Sequence, residues 1–400
     1  MDSIYITGAG VVSAIGIGKD DTCHSLMGGL SGIREMKYLQ SVHHELPVGE
    51  VQLSNDEMIS MLGIDKDPLL TRTALLGRLA LRETLAQAGL TAEELKEVPF
   101  ISATTVGGMD RRELNYAYEK KCDKDYAHAL ISTHNCADST EMIGDYFGQF
   151  ASLSTVSTAC SSATNAIITG ANMLRCGMAE KVVVGGAECL TKFHLNGFNT
   201  LMILDHQPCR PFDKDRAGLN LGEGAAYLVL ETAASVKKRG VKPLCQLSGY
   251  GNACDAFHQT ASSPDGEGAV LAMQEALALA GLQPSDIQYI NAHGTGTPNN
   301  DESESCAIRR VFGEHLPPIS STKSMTGHTT SASGSIEAVF CILAIQHQFL
   351  PVNVNWHTPM ENGIIPVMDS QPHTEIKHVL SNAFGFGGND SSLILSKYDA

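Results

Sequence analysis

Four hundred residues, 43% of them hydrophobic and 18% charged, can bury a large core, and the absence of any apolar run of about 18 residues argues against a membrane-spanning helix. The formal charge of −16 disfavours nonspecific binding to nucleic acid or to an anionic membrane. Eleven cysteines, dispersed without a C-x-x-C pair or zinc-like Cys/His spacing, are expected as reduced thiols in a reducing compartment. The opening Met1-Asp2-Ser3-Ile4-Tyr5-Ile6 reads as a strand and not as a signal sequence, so a soluble, cytoplasmic protein is expected.

Along the chain, residues 3–13 read as a strand leading through Thr7-Gly8-Ala9-Gly10. This Gly-x-Gly has Ser13 where a third glycine would stand, and no acidic residue follows an expected second strand, so it is not read as a dinucleotide site. Residues 69–89 carry apolar side chains at helical spacing and stop at Gly89. Phe100-Ile101-Ser102-Ala103 reads as the next strand, leading into Val106-Gly107-Gly108.

Residues 153–159 alternate and are β-branched, whereas Ala163, Ile167, Gly170, Ala171 and Leu174 follow helical spacing. That places Cys160, in Ser157-Thr158-Ala159-Cys160-Ser161-Ser162-Ala163, at a strand-to-helix junction. There the helix dipole and free backbone N–H groups are expected to lower its thiol pKa.

The second half repeats the first. Residues 245–254 match 3–13, the helical stretch 268–281 matches 69–89, and Tyr289-Ile290-Asn291-Ala292 matches 100–103. Residues 181–186 and 379–388 form a third pair of strands near a Gly-Gly, and 333–347 is another helix. Two related α/β halves follow, 1–240 and 241–400.

Two histidines occupy glycine-rich polar segments of the second half: His293 in Asn291-Ala292-His293-Gly294-Thr295-Gly296-Thr297, and His328 at the end of Ser321-Thr322-Lys323-Ser324-Met325-Thr326-Gly327-His328. A thiol nucleophile with two imidazoles suits acyl transfer coupled to a step that places negative charge on oxygen.

These segments, with Ser381-Asn382-Ala383-Phe384-Gly385-Phe386-Gly387-Gly388-Asn389, resemble the β-ketoacyl-[acyl carrier protein] synthases of the elongating Cys-His-His type. The resemblance implies the thiolase-like fold, two pseudo-symmetric halves in five α-β-α-β-α layers, with the nucleophile in the first half and the histidines in the second. It also implies decarboxylating condensation of a Cys160 thioester with malonyl-acyl carrier protein, in fatty acid or specialised polyketide or polyene synthesis. His293 and His328 would stabilise the enolate, Lys323 would orient His328 or keep it neutral, and Glu304 would pair with Lys323 as support. Phe386 N–H would join Cys160 N–H in an oxyanion hole, while Phe384, Phe198, Val106 and Met109 would shape the pocket. Thr260, Thr295 and Thr297 would contact the pantetheine arm. Asp301 and Glu302 read as solvated surface.

The same resemblance implies an acyl carrier protein as partner, a homodimer or a heterodimer, and no metal or redox cofactor, the phosphopantetheine arm arriving with the carrier. Basic candidates for carrier docking are Lys237, Lys238, Arg239 and Lys242, or Arg72, Arg78 and Arg82, or Arg111 and Arg112. The likeness is poor between residues 109 and 141, notably over 126–136, and residues 40–50 look shortened, which leaves the acyl class open and points to a specialised pathway. A chain-length-factor-like partner subunit lacks the nucleophile. A thiolase needs a second cysteine near the C-terminus, where this chain ends its cysteines at Cys341 inside a helix.

Overall fold

The computed structural model describes residues 3–121 and 123–398, so Met1, Asp2, Cys122, Asp399 and Ala400 lie outside the described residues. Among the described residues eleven strands form: β1 (Ile4–Ser13), β2 (Gly16–Ile17), β3 (Pro99–Ala103), β4 (Ser152–Val156), β5 (Lys181–Glu188), β6 (Gly224–Thr232), β7 (Cys245–Cys254), β8 (Tyr289–Asn291), β9 (Ile319–Ser320), β10 (His378–Gly385) and β11 (Asn389–Ser396). Their order is β4-β3-β5-β6-β1-β7-β11-β10-β8-β9, with β2 a short hairpin partner of β1.

Leaving out β2, residues 4–232 contribute five strands and residues 245–396 another five. Counted within each set, both run third, second, fourth, fifth, first across the sheet. The senses agree as well. In each set the second strand pairs parallel with the third and fourth, and the fifth pairs antiparallel with the fourth and first. The strands whose sequences look alike, β1 with β7, β3 with β8 and β5 with β10, hold equivalent places. The two sets join where Ile4, Tyr5 and Ile6 of β1 face Leu247, Gln246 and Cys245 of β7.

Helices supply the other layers. Arg72–Ala88 lies on β1 and β6, and Glu267–Ala280 lies in the equivalent place on β7 and β11. Ser162–Arg175 and Ser333–His347 pack on each other and touch strands of both sets, forming the middle layer of an α-β-α-β-α stack. Ser333–His347 is apolar nearly all round, as a helix covered on every side must be, and everything from Ser333 to Ile345 is buried.

The Gly-x-Gly of β1 has a packing role. A Cβ on Gly8 would sit 2.5 Å from Thr84 O, and one on Gly10 would sit 2.3 Å from Ala80 O, both on the covering helix. Gly249 and Gly251 of β7 repeat the device against Ala276 O and Ala272 O, at 2.2 and 2.1 Å. The glycines let a helix backbone lie directly on the sheet.

Among the described residues no helix is long and apolar enough to cross a membrane, no group of three His, Cys, Asp or Glu side chains is placed to hold a metal ion, and the cysteines are free thiols.

Candidate active site

Cys160 sits in a five-residue elbow between β4 and helix Ser162–Arg175. Ala159 takes φ +53°, a left-handed conformation costly for a residue with a Cβ. The motif's own hydroxyls hold it there. Ser162 Oγ accepts from Thr158 N–H at 2.8 Å and donates to Ala159 O at 2.5 Å, and Ser161 Oγ donates to Thr158 O at 2.9 Å.

The thiol's acidity departs from expectation. Burial pushes Cys160 up to about 11, although the Lys323 charge and a hydrogen bond from Phe386 N–H pull the other way. The cysteine is 6% exposed, and loss of water around sulfur outweighs its place near a helix start. A neutral thiol therefore needs a proton acceptor when it attacks.

His328 stands within hydrogen-bond reach of the sulfur. Its Nε2 lies 3.0 Å from Cys160 Sγ, and its Nδ1 lies 3.0 Å from Ser333 Oγ. Its backbone is fixed on both sides, His328 N–H donating to Asn220 O at 2.7 Å and Gly222 N–H donating to His328 O at 2.9 Å. The ring of His293 stands edge-on to that of His328, centroids 5.3 Å apart. His293 follows β8, and its loop is held by Glu304, which accepts from His293 N–H at 2.8 Å, Gly294 N–H at 2.7 Å and Asn382 Nδ2 at 3.2 Å.

Glu304 thus supports the site, but not through the lysine as expected. The partner of Lys323 is Glu337, on the central helix Ser333–His347, with Nζ 2.5 Å from Oε1. The signal was present in the sequence as a lone acidic residue in an otherwise apolar stretch. Burial and then the Lys323 charge hold both imidazoles well below the usual histidine range, so each is neutral at neutral pH.

A cavity of about 240 Å³ reaches the thiol. Cys160, His293, His328, Phe198, Phe384 and Phe386 line its inner part, and Thr260, Thr295 and Thr297 line it with Asn299 and Asn300. Thr295 Oγ1 and Thr297 Oγ1 are 2.9 Å apart.

Val106 is not in that wall. It is buried in the core between the strands of the first set and the helices that cover them, and its N–H donates to Glu188 at 3.1 Å. Met109 and the 126–136 segment, which forms helix Lys124–Ile131 and the start of Cys136–Asp145, also lie off the lining. Asp301, read as solvated, is fully buried and accepts from Phe212 N–H at 2.8 Å. Several candidate docking arginines are engaged internally: Arg72 with Glu223, Arg78 with Met142 O, Arg82 with Met61 O, Arg111 with Leu70 O and Arg239 with Glu231.

Sequence reasoning missed Glu188. It is wholly buried and accepts from Thr104 Oγ1, the Thr105 and Val106 N–H groups, Thr105 Oγ1, Thr330 Oγ1 and Ser331 Oγ.

Comparison with known proteins gives the family. The beta-ketoacyl synthase N-terminal domain matches residues 1–235 and the corresponding C-terminal domain matches 244–357. The 3-oxoacyl-[acyl-carrier-protein] synthase 2 of Staphylococcus aureus (strain COL) is 32% identical over 99% of each chain. Among solved structures, the ishigamide ketosynthase/chain length factor is 30% identical over 100% of each chain, with a TM-score of 0.93. A chain of the complex between the ketosynthase ApeO and its chain length factor ApeC from Xenorhabdus doucetiae is 32% identical over 99% of this chain and 98% of that one, with a TM-score of 0.85. With both domain models covering most of its length, and a thiol, two neutral imidazoles and a buried lysine converging at one cavity, the chain belongs to the β-ketoacyl synthase family.

Proposed function

We propose that this protein is a 3-oxoacyl-[acyl-carrier-protein] synthase that lengthens an acyl chain by two carbons, in fatty acid or polyketide synthesis. The observation that carries the reading is the 3.0 Å contact between His328 Nε2 and Cys160 Sγ at the inner end of a cavity that His293 also lines.

The first step loads the enzyme. As Cys160 sulfur bonds to the thioester carbonyl carbon, its proton passes to His328 Nε2. The oxyanion is held by the N–H groups of Phe386 and Cys160, and its collapse expels the carrier thiolate, which takes the proton back from His328. In the second step malonyl-carrier enters, its pantetheine arm passing Thr260, Thr295 and Thr297. The carboxylate leaves as carbon dioxide, and its bonding pair becomes an enolate whose oxygen His293 and His328 hold by N–H donation, His328 now as the tautomer with its hydrogen on Nε2 and with Nδ1 accepting from Ser333 Oγ. The enolate carbon then attacks the Cys160 thioester, the C–S bond breaks, and the released Cys160 thiolate takes up one proton from solvent. No metal or redox group is needed, and burial together with the Lys323 charge keeps the imidazoles neutral.

The partner in this reading is an acyl carrier protein, the first half (1–240) brings the nucleophile, and the second (241–400) brings the histidines. A dimer in the cytoplasm belongs to the same proposal. Strand β4 ends the sheet with an unpaired edge and exposed Ser152 and Ser154, the place where a second copy or a related subunit could add a strand. A chain-length-factor role is disfavoured by Cys160 itself. Intact-mass measurement with acyl-carrier proteins tests the whole: the wild type should gain one acyl mass, and Cys160→Ala should gain none. Acylation of the alanine variant would refute the mechanism.

A further inference from the structure

The inference rests on the acyltransferase reading above and concerns how far an acyl chain held on Cys160 can extend. Two of the rings that line the cavity with the thiol, Phe386 and Phe198, are stacked at 5.9 Å with an 18° angle between their planes. Helix Lys192–Thr200 carries Phe198, and His194 lies one turn earlier on the same face. Its imidazole meets Phe198 edge-on, centroids 5.9 Å apart, and is 8% exposed.

His194 is tied into a polar chain. Its Nε2 lies 3.4 Å from Thr105 Oγ1, and that hydroxyl gives its single hydrogen to Glu188 at 2.5 Å. The Thr105 oxygen therefore accepts from His194 Nε2–H, which fixes the tautomer. Behind two phenyl rings thus comes an imidazole, a hydroxyl and a buried carboxylate. Burial lowers the imidazole's basicity, so it stays a neutral donor. An alkyl tail pushed past Phe198 would collide with the ring, or displace it and leave buried polar groups unpaired.

We propose that His194, held by Thr105, is a specificity-determining residue of the condensation: it ends the acyl site beyond Phe198 and restricts the enzyme to short acyl chains.

The test measures the rate of Cys160 loading, by intact mass, across carrier proteins charged with saturated chains from acetyl to palmitoyl. The wild type should load acetyl to hexanoyl and load dodecanoyl and longer chains poorly. His194→Gly and His194→Ala should raise the long-to-short loading ratio by about tenfold or more, the scale of a few methylenes gaining room, while short-chain loading stays within a few-fold. A merely structural role would lower loading of all chains together and leave the ratio unmoved. That result overturns the proposal. So does a wild type that loads long chains as readily as short ones, an outcome that needs no folded variant. Absence of any acyl mass on wild-type Cys160 would instead refute the acyltransferase reading, and this inference with it.

Discussion

Lys323 and Glu337 form an ion pair at 2.5 Å with side chains 1% and 4% exposed, and the lysine's charge acts on both imidazoles of the site. Removing one partner of such a pair typically costs about 3–5 kcal/mol, because the other is left buried and uncompensated.

Lys323→Met should therefore destabilise the fold by an amount of that order and also change chemistry. With the positive charge gone, both histidines become easier to protonate, and a protonated ring repels its neighbour. Malonyl decarboxylation in a Cys160→Gln background should run level with falling pH through the ordinary imidazole value of 6.5, because both imidazoles titrate well below it. In the added Lys323→Met background the acid limb should move up toward that value. Coincident acid limbs would show that the lysine does not set the imidazole charge.

The thiol offers a second titration. A Cys160 pKa near 11 means that the thiolate fraction still rises about tenfold per pH unit through the range in which an ordinary cysteine levels off. The rate of carbamidomethylation of Cys160, followed by peptide mass, should climb without a plateau near 9. Cys136→Ala and Cys189→Ala should keep substantial activity, Cys189 being wholly buried. A plateau near 9 would mean that the helix start outweighs burial after all.

The histidines should then separate. His293 does not touch the thiol in any hydrogen bond, whereas His328 does. His293→Ala should cut malonyl decarboxylation by about two orders of magnitude, the scale of one lost oxyanion donor, and leave Cys160 loading largely intact. His328→Ala should slow both steps. Equal effects of the two substitutions on both steps would remove the assigned division of labour.

What could be read from the chain was whatever local chemistry encodes. The Ser-Thr-Ala-Cys-Ser-Ser motif carries its own hydroxyl clamps, and the strand similarities of 3–13 with 245–254 and 100–103 with 289–292 appear as equivalent strands. What escaped was set by contacts across the fold. Glu337 reaches Lys323 from a different helix, Glu188 collects donors from two distant loops, and His194 meets Phe198 edge-on while its Nε2 reaches Thr105. Val106 enters the expected pocket through the resemblance alone, whereas in this chain it packs in the core with residues of helix Arg72–Ala88. The direction of the Cys160 shift was misjudged because burial cannot be read from spacing.

The paired glycines allow a test of the repeated design. Gly10→Ala and Gly251→Ala each force a Cβ to within 2.3 and 2.1 Å of a helix carbonyl, so the covering helix must move away from its strand. Each should lose about 1–3 kcal/mol or more in urea unfolding, the usual cost of overpacking. A pair of variants as stable as the wild type would mean that the helices are free to shift, and that the glycines are not needed for packing.

Asp390 provides the last prediction, on stability. It is 5% exposed at the start of β11, and its Oδ2 and the Cβ of Asp255 lie 2.3 and 2.8 Å from where a Cβ on Gly268 would stand. Burial, then repulsion from Asp255 and Glu304, raises it from 3.8 to about 7. The folded state therefore binds a proton that the unfolded state releases. That contribution is complete below the unfolded value and is lost as pH rises toward 7, above which the fold holds a buried, repelled carboxylate. A shift of about three units corresponds to at most about 4 kcal/mol. Asp390→Asn removes the charge, so it should stabilise the protein, and more so at high pH. Its advantage in urea unfolding should grow by roughly 2–3 kcal/mol between about pH 5 and about pH 8, then level off. An advantage independent of pH would place the Asp390 titration outside this range and the charge repulsion among Asp255, Glu304 and Asp390 below any measurable effect.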